Sequence, residues 1–263
     1  MIRRLLDDLA ARESVLVALS GGVDSTVVAA LAHRALAGRA MAATAAAETL
    51  AATELDDARR VAVEIGIRHE ILTYSELDEP EFVANPVYRC YVCQGLRMDR
   101  MLALAAERGI ELVCDGTNAS DPGPDRPGLA AVRERGVYSP LLEHGVDKES
   151  TRAIALALGL SVWDKPADAC LSSRIPHGQR VTVDKLRRIE SAERVVAELG
   201  FRSVRVRHDR TGARVEVESS QVALLLRHRP EIEGRLLALG FDVVSIEPAG
   251  YRAGGADRLP VVA

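Results

Sequence analysis

Residues Val15 to Thr26 read VLVALSGGVDST, an apolar run that stops at a glycine pair set between Ser20 and the trio Asp24, Ser25 and Thr26. The run has the character of a buried parallel strand, and the alanine-rich continuation VVAALAHRALA that of a helix. The loop therefore falls where a strand ends and a helix begins, the place at which free backbone N–H groups meet an anion. Gly21 and Gly22 let the main chain approach a ligand closely. Ser20, Ser25 and Thr26 add hydroxyl donors, and the helix amino end adds partial positive charge. This is the composition of a phosphate cradle, and an ordinary glycine turn is the plainer alternative. It is not a Walker loop, because no lysine occurs between Val15 and Thr26. Asp24 is foreign to a plain phosphate nest, but a carboxylate beside polyphosphate makes sense when magnesium lies between them.

Outward from this loop, strand and helix signals alternate. Ala40 to Ala47 is a short run of small residues, and Glu54 to Ile65 has helical spacing closed by Gly66. His69 to Tyr74 reads as a strand, Gln94 to Arg108 as a helix stopped by Gly109, and Glu111 to Cys114 as a strand leading into DGTNASD. The alternation predicts an α/β fold with a doubly wound parallel sheet, whose ligands bind beyond the carboxyl ends of the strands. Asp121 to Asp147 is rich in proline and glycine and is expected as a long ordered loop over the site or at a subunit contact. Lys148 to Leu158 reads as a helix ended by Gly159. Beyond Pro176 the pattern changes to a charged helix (Thr182 to Leu199), a strand pair (Ser203 to His208, Ala213 to Glu218), a helix broken near Pro230 and a last strand (Phe241 to Ile246). A boundary at Pro176 gives a nucleotide domain, 1–175, and a smaller C-terminal α+β domain, 176–263, for substrate binding or oligomerisation.

A chain of 263 residues suffices for such an α/β domain with an appended unit. A formal net charge of −4 gives no global argument for nucleic acid, and no apolar stretch is long and uncharged enough to span a bilayer. The first residues, MIRRLLDDLAARES, lack an apolar signal core, so a cytoplasmic location is expected. Four cysteines, two of them in the pair Cys90-x-x-Cys93, then suggest reduced thiols with a metal or redox task. One segment departs from the acidic average: Arg180 to Arg214 holds ten Lys or Arg against five Asp or Glu. Arg205 and Arg207 alternate on a strand and so share a face, with Arg214 placed to answer from the neighbouring strand. Such guanidinium forks suit carboxylate or phosphate ligands, and a face of ion pairs with Glu216 and Glu218 is the alternative.

The SGGVDS loop resembles that of the PP-loop ATP pyrophosphatases, which cut ATP between the α and β phosphates and pass AMP to a substrate oxygen. NPVYRCYVC (Asn85 to Cys93), DGTNASD (Asp115 to Asp121), DRPGL (Asp125 to Leu129), SPL (Ser139 to Leu141), WDKPADACLSSRIPHG (Trp163 to Gly178) and RVRH (Arg205 to His208) then follow in order. Together, over nearly the whole chain, they resemble the LarE family of ATP-dependent sulfur transferases. The resemblance implies an adenine nucleotide alpha hydrolase-like fold and adenylation of a carboxylate of pyridinium-3,5-biscarboxylic acid mononucleotide. Sulfur delivery then gives a thiocarboxylate, twice per molecule, on the way to the nickel-pincer cofactor of lactate racemase. ATP and magnesium are implied cofactors, with Ser20, Gly21, Gly22, Asp24, Ser25 and Thr26 at the nucleotide. Asp24 is expected to serve catalysis, Asp121 to be a further metal ligand, and Arg174, Arg205, Arg207 and Arg214 to bind the substrate. The implied partners are the small pyridinium nucleotide, a sulfide source and further copies of the chain, up to a hexamer, and not nucleic acid or membrane.

The family's sulfur-bearing position matches Cys170, near Arg174 and Lys165 in sequence, cations that favour thiolate. Family members with that cysteine alone consume it. Here Cys90, Cys93 and Cys170 make three thiolates, which suits a [4Fe-4S] cluster with one iron open to carry sulfide, as in a three-cysteine subgroup the chain resembles. Sacrifice of Cys170 stays open beside it. Cys114, within the apolar run LVC, reads as core, and Trp163 as packing. Asp115, Thr117, Asn118 and Asp121 are either magnesium-site or turn residues, with Asp121 the one taken as a ligand. Outside this reading stand a PP-loop enzyme that thiolates tRNA, an iron–sulfur carrier without turnover, and an amidating synthetase, which needs no cysteine.

Overall fold

The computed structural model describes residues 1–121 and 127–252, which divide into two compact units. The first comprises Met1–Glu76 and Tyr88–Asp168. Its four strands, β1 (Val15–Ala18), β2 (Ala40–Ala46), β3 (Arg68–Thr73) and β4 (Leu112–Cys114), are all parallel, in the order β3-β2-β1-β4. With β1 between β2 and β4, the loop after β1 leaves the middle of the sheet, where ligands bind in open α/β folds. Helices cover both faces. On one side α1 (Ile2–Ala10), α2 (Val23–Leu36), α3 (Ala52–Ile65) and α8 (Lys148–Ala157) pack over Val15, Val17, Ala40 and Ala42. On the other, α5 (Arg89–Arg108) lays Met98, Met101, Leu104 and Ala105 on Leu16, Met41, Ala43 and Val113. Because parallel strands are buried on both faces, β1 reads as a continuous apolar run, and the fully buried Leu16 alone contributes about 2 kcal/mol. The small side chains of β2, AMAATAA, keep the middle of the sheet thin between its two helical layers.

Two segments differ from the sequence expectation. The stretch from Asp121 to Asp147 is not a long loop: it holds α6 (Pro127–Glu134) and α7 (Pro140–Glu143), and between them Tyr138 bridges to Cys114, extending the sheet beyond β4. Both helices carry proline in their first turn, a position where it is tolerated and starts a helix instead of breaking one. Asp125 and Arg126 of the DRPGL element lie outside the described residues; its Gly128 lets α6 approach α5, since a Cβ there would stand 3.2 Å from Gln94 Cγ. The helix α5 begins at Arg89, not at Gln94, so the Cys-x-x-Cys pair occupies its first turn. Tyr91, Val92 and the two cysteines are weak helix formers and hid that turn.

The second unit comprises Leu77–Val87 and the chain from Ala169 onward. It opens seven residues before Pro176 and takes in a segment from far upstream, α4 (Pro80–Val83). The buried Asn85 explains this: its side-chain amide donates to the carbonyls of Pro176 and Gln179 at 2.7 and 2.8 Å, and its own carbonyl accepts from Gly178 N–H. The unit carries β5 (Arg205–Asp209), β6 (Gly212–Glu216) and β7 (Val243–Ile246) in that order, the first pair antiparallel and the second parallel. Helices α9 (Val183–Ala197), α10 (Val222–Arg227) and α11 (Arg229–Ala238) pack on this sheet around Val206, Val215, Leu225, Ile232 and Phe241. The helix expected to break at Pro230 does so, between Arg227 and Arg229. His208 belongs to this core: it is 2 % exposed against Phe241, and burial, with Lys185 and Arg188 nearby, lowers its pKa to about 4.

Candidate active site

The loop after β1 is shaped by its own side chains. Ser20 N–H donates to Ser25 Oγ at 3.1 Å, and Thr26 Oγ1 donates to the Gly22 carbonyl at 2.7 Å. Gly22 caps α2 without a side-chain hydrogen bond, so the first-turn amides are left for a ligand. Gly21 has φ +74°, and a Cβ on it would lie 2.7 Å from the Ala58 backbone nitrogen and 2.9 Å from the Glu54 carbonyl oxygen. Gly21→Ala therefore strains the backbone and pushes α3 off the loop, an expected loss on the order of 3 kcal/mol with nucleotide binding lost alongside; a melting curve with and without ATP reads both. Gly116, at the end of β4, is as crowded, with Ser25 N 2.5 Å from its virtual Cβ, so DGTNASD is held directly against the loop.

A cavity of about 400 Å³ opens over these elements within the first unit, lined by Ser20, Gly22, Asp24 and Ser25 of the loop, by Asp115, Gly116, Thr117 and Asp121, and by α5. Asp24 Oδ1 is buried there without a hydrogen-bond partner among the described residues. Burial raises the Asp24 pKa above the usual carboxylate range; Lys148 pulls it back and Asp121 pushes it further up. An ionised, incompletely paired carboxylate next to a second acid is the donor set a hard divalent cation takes, so these residues fit magnesium. Asp115 instead serves the turn: it accepts from Thr117 N–H, Thr117 Oγ1 and Ser139 Oγ, and Asn118 N–H in turn donates to Asp121 Oδ2 at 3.0 Å.

Cations balance these acids, and the sequence reading passed over most of them. Lys148, Arg152, Lys165 and Arg97 all line the cavity. Lys165 Nζ donates to the Gly21 carbonyl at 3.2 Å and pairs with Asp57 Oδ2 at 2.6 Å. Arg152 holds the backbone at and just before it, donating to the carbonyls of Lys165 and Trp163. The Trp-Asp-Lys motif thus anchors the phosphate loop, and Lys165 is engaged there instead of assisting a thiol. Its place in a shared motif was the available signal.

Cys90 and Cys93 stand one turn apart on α5, the first exposed and the second 6 % exposed. Cys93 Sγ donates to Glu76 Oε1 at 2.9 Å, and Glu76 is itself fully buried. Cys114 is buried in the sheet, as expected of a core residue, and burial pushes its thiol far above the ordinary range. Among the described residues no group of three or more His, Cys, Asp and Glu is arranged to hold a metal ion.

In the second unit Cys170 is half-buried, its Sγ 3.2 Å from Ser172 Oγ. Arg174, expected to favour the thiolate, is 2 % exposed and donates to both carboxylate oxygens of Glu193 and to the carbonyl of Cys170. Arg207 and Arg214 stand directly opposite on β5 and β6, and both bind Glu216, at 3.0 and 3.3 Å. Arg205 and Arg207 lie over the Tyr251 ring. The four arginines expected at the substrate thus gather in one unit, each less than 10 % exposed, with the ion-pair partner Glu216 foreseen and Glu193 not.

A strand, an SGGVDS loop without lysine, a helix amino end and a magnesium-ready aspartate over a parallel sheet define a PP-loop nucleotide enzyme, one that splits ATP at the α phosphate. The asparagine synthase family model matches residues 3–92, the span of the loop and its flanking sheet. An uncharacterised protein of Synechocystis is 40 % identical over 94 % of this chain and 93 % of its own length. The pyridinium-3,5-bisthiocarboxylic acid mononucleotide synthase of Lactiplantibacillus plantarum is 33 % identical over 92 % of this chain and 88 % of its own. The tRNA-specific 2-thiouridylase MnmA of Caulobacter vibrioides is 29 % identical, but over 66 % of this chain and 55 % of its own. The chain belongs to the LarE family of ATP-dependent sulfur transferases. Among the described residues no helix is long and apolar enough to cross a membrane.

Proposed function

We propose that the chain adenylates a carboxylate of pyridinium-3,5-biscarboxylic acid mononucleotide and exchanges the activated oxygen for sulfur, yielding the thiocarboxylate of a nickel-pincer cofactor precursor. The observation that carries this reading is the near full-length likeness to the bisthiocarboxylate synthase, which extends through both units. A carboxylate oxygen attacks the α phosphorus, the bond to the β-phosphate oxygen breaks and pyrophosphate leaves. A sulfur nucleophile then attacks the carboxyl carbon and AMP departs. The loop amides and the hydroxyls of Ser20, Ser25 and Thr26 bind phosphate oxygens, Gly21 keeps the loop tight to α3, and Lys165 and Arg152 fix its position. Magnesium, held by Asp24 and Asp121, would supply charge neutralisation at the leaving pyrophosphate.

Cys170 is assigned to the sulfur step. The one-turn spacing of Cys90 and Cys93, with Cys170 as third thiolate, supports a [4Fe-4S] cluster whose open iron would supply renewable sulfide; consumption of the Cys170 sulfur is the second reading. Arg174, Arg205, Arg207 and Arg214 are assigned to the anionic groups of the pyridinium nucleotide, with Glu193 holding Arg174 and Glu216 holding Arg207 and Arg214 in place until substrate arrives. Because these guanidinium groups are buried, they do not form the open basic surface that a tRNA partner needs, which favours the small-molecule substrate. The C-terminal unit is also assigned the contacts of a homo-oligomer. Exchange of labelled pyrophosphate into ATP tests the first step: it should require the biscarboxylate nucleotide, and exchange driven instead by tRNA would remove the assignment.

A further inference from the structure

We infer that Arg97 is a nucleotide-binding residue shared with Cys93, so that occupation of the cavity and the packing of Cys93 are thermodynamically coupled. The inference rests on reading the cavity as the ATP site. Arg97 follows Cys93 by four residues on α5, so the two side chains share a helix face. Arg97 lines the cavity, while its Nη2 lies 3.8 Å from Cys93 Sγ and 4.0 Å from Glu76 Oε1. Glu76 ties the group together. With no exposure to solvent, it accepts from Thr49 Oγ1 at 2.5 Å, from Cys93 Sγ at 2.9 Å and from the Tyr74 hydroxyl at 3.4 Å.

A guanidinium only donates, and a buried carboxylate depends on the cation beside it. A polyphosphate entering the cavity offers Arg97 a stronger set of acceptors, in the planar geometry it prefers. As Arg97 turns toward phosphate, its hold on Glu76 weakens, and the Cys93–Glu76 contact must rearrange. No proton need change place. Linkage makes the effect reciprocal: whatever alters Cys93 alters nucleotide affinity through Arg97.

The test is a cycle of nucleotide affinities, measured by titration calorimetry on the full chain with α,β-methylene-ATP, which cannot be split at the α phosphate. Cys93→Ser should change the dissociation constant about fivefold or more in the wild-type background and leave it unchanged in Arg97→Gln. Tyr91→Phe, which on the same helix removes only the hydroxyl that donates to Glu134, should leave the affinity as it is. An equal shift from Cys93→Ser in both backgrounds, no shift in either, or an equal shift from Tyr91→Phe overturns the inference. Should Arg97→Gln fail to fold, Arg97→Lys keeps the charge beside Glu76 without the planar fork, and the cycle should then show weakened coupling. A wild-type chain that binds no analogue at all contradicts the ATP site itself, an outcome distinct from binding without coupling.

Discussion

Cys170→Ser abolishes thiocarboxylate formation, by about 10³-fold or more, while release of pyrophosphate from ATP persists. Adenylation is assigned to the loop of the first unit and sulfur transfer to a residue of the second, so the two half-reactions should separate under this change. The side chain is half-buried with its sulfur 3.2 Å from Ser172 Oγ, so a hydroxyl fits the same space and stability shifts by less than about 0.5 kcal/mol. Product and pyrophosphate are quantified in the same quenched reaction. Two companion variants separate the two sulfur sources. Cys90→Ser and Cys93→Ser remove activity as completely if the three thiolates hold a cluster, and leave a single turnover intact if Cys170 gives up its own sulfur.

Asp24→Asn is expected to lower pyrophosphate release by about 10² to 10³-fold and yet to stabilise the metal-free chain at neutral pH. The first effect follows from losing the charge that would hold magnesium against the leaving group. The second follows from linkage. Burial raises the folded-state pKa of Asp24 above its unfolded value, so ionisation of this group opposes folding. That opposition is absent below the ordinary carboxylate range and complete above the raised value, and wild-type stability falls as pH rises through the window between them. Asparagine does not titrate, and its variant lacks that part of the fall. Magnesium reverses the order by binding the folded wild type and not the variant. Melting curves of both proteins from pH 4 to pH 8, with and without magnesium, check the sign.

The sheet was legible because parallel strands buried on both faces must be largely apolar, and β1, β4 and, apart from Thr44, β2 are. The loop was legible because few arrangements ask for two glycines, three hydroxyls and an acid within seven residues. What stayed hidden depends on contacts distant in sequence. Asn85 reads as a turn residue before proline, yet it carries Leu77–Val87 into the second unit by bonding to residues some ninety positions away. Glu76 reads as one acid in an acidic stretch, and only the fold shows it fully buried against Cys93 and Thr49. The arginines were placed on the right faces, but charge counting leaves open whether a guanidinium faces solvent, a ligand or a carboxylate. Here Glu193 and Glu216 hold Arg174, Arg207 and Arg214 inside the unit.

The central claim is sulfur transfer to an adenylated carboxylate. Anaerobically prepared protein, incubated with ATP, magnesium, sulfide and the biscarboxylate nucleotide, should yield AMP and a product in which carboxyl oxygen is replaced by sulfur, both read in one mass spectrum together with the protein. Thiocarboxylate from an unaltered chain assigns the sulfur to a renewable carrier, and thiocarboxylate with sulfur missing from Cys170 assigns it to that residue. AMP without any sulfur-bearing product, or no reaction with this nucleotide, would contradict the account.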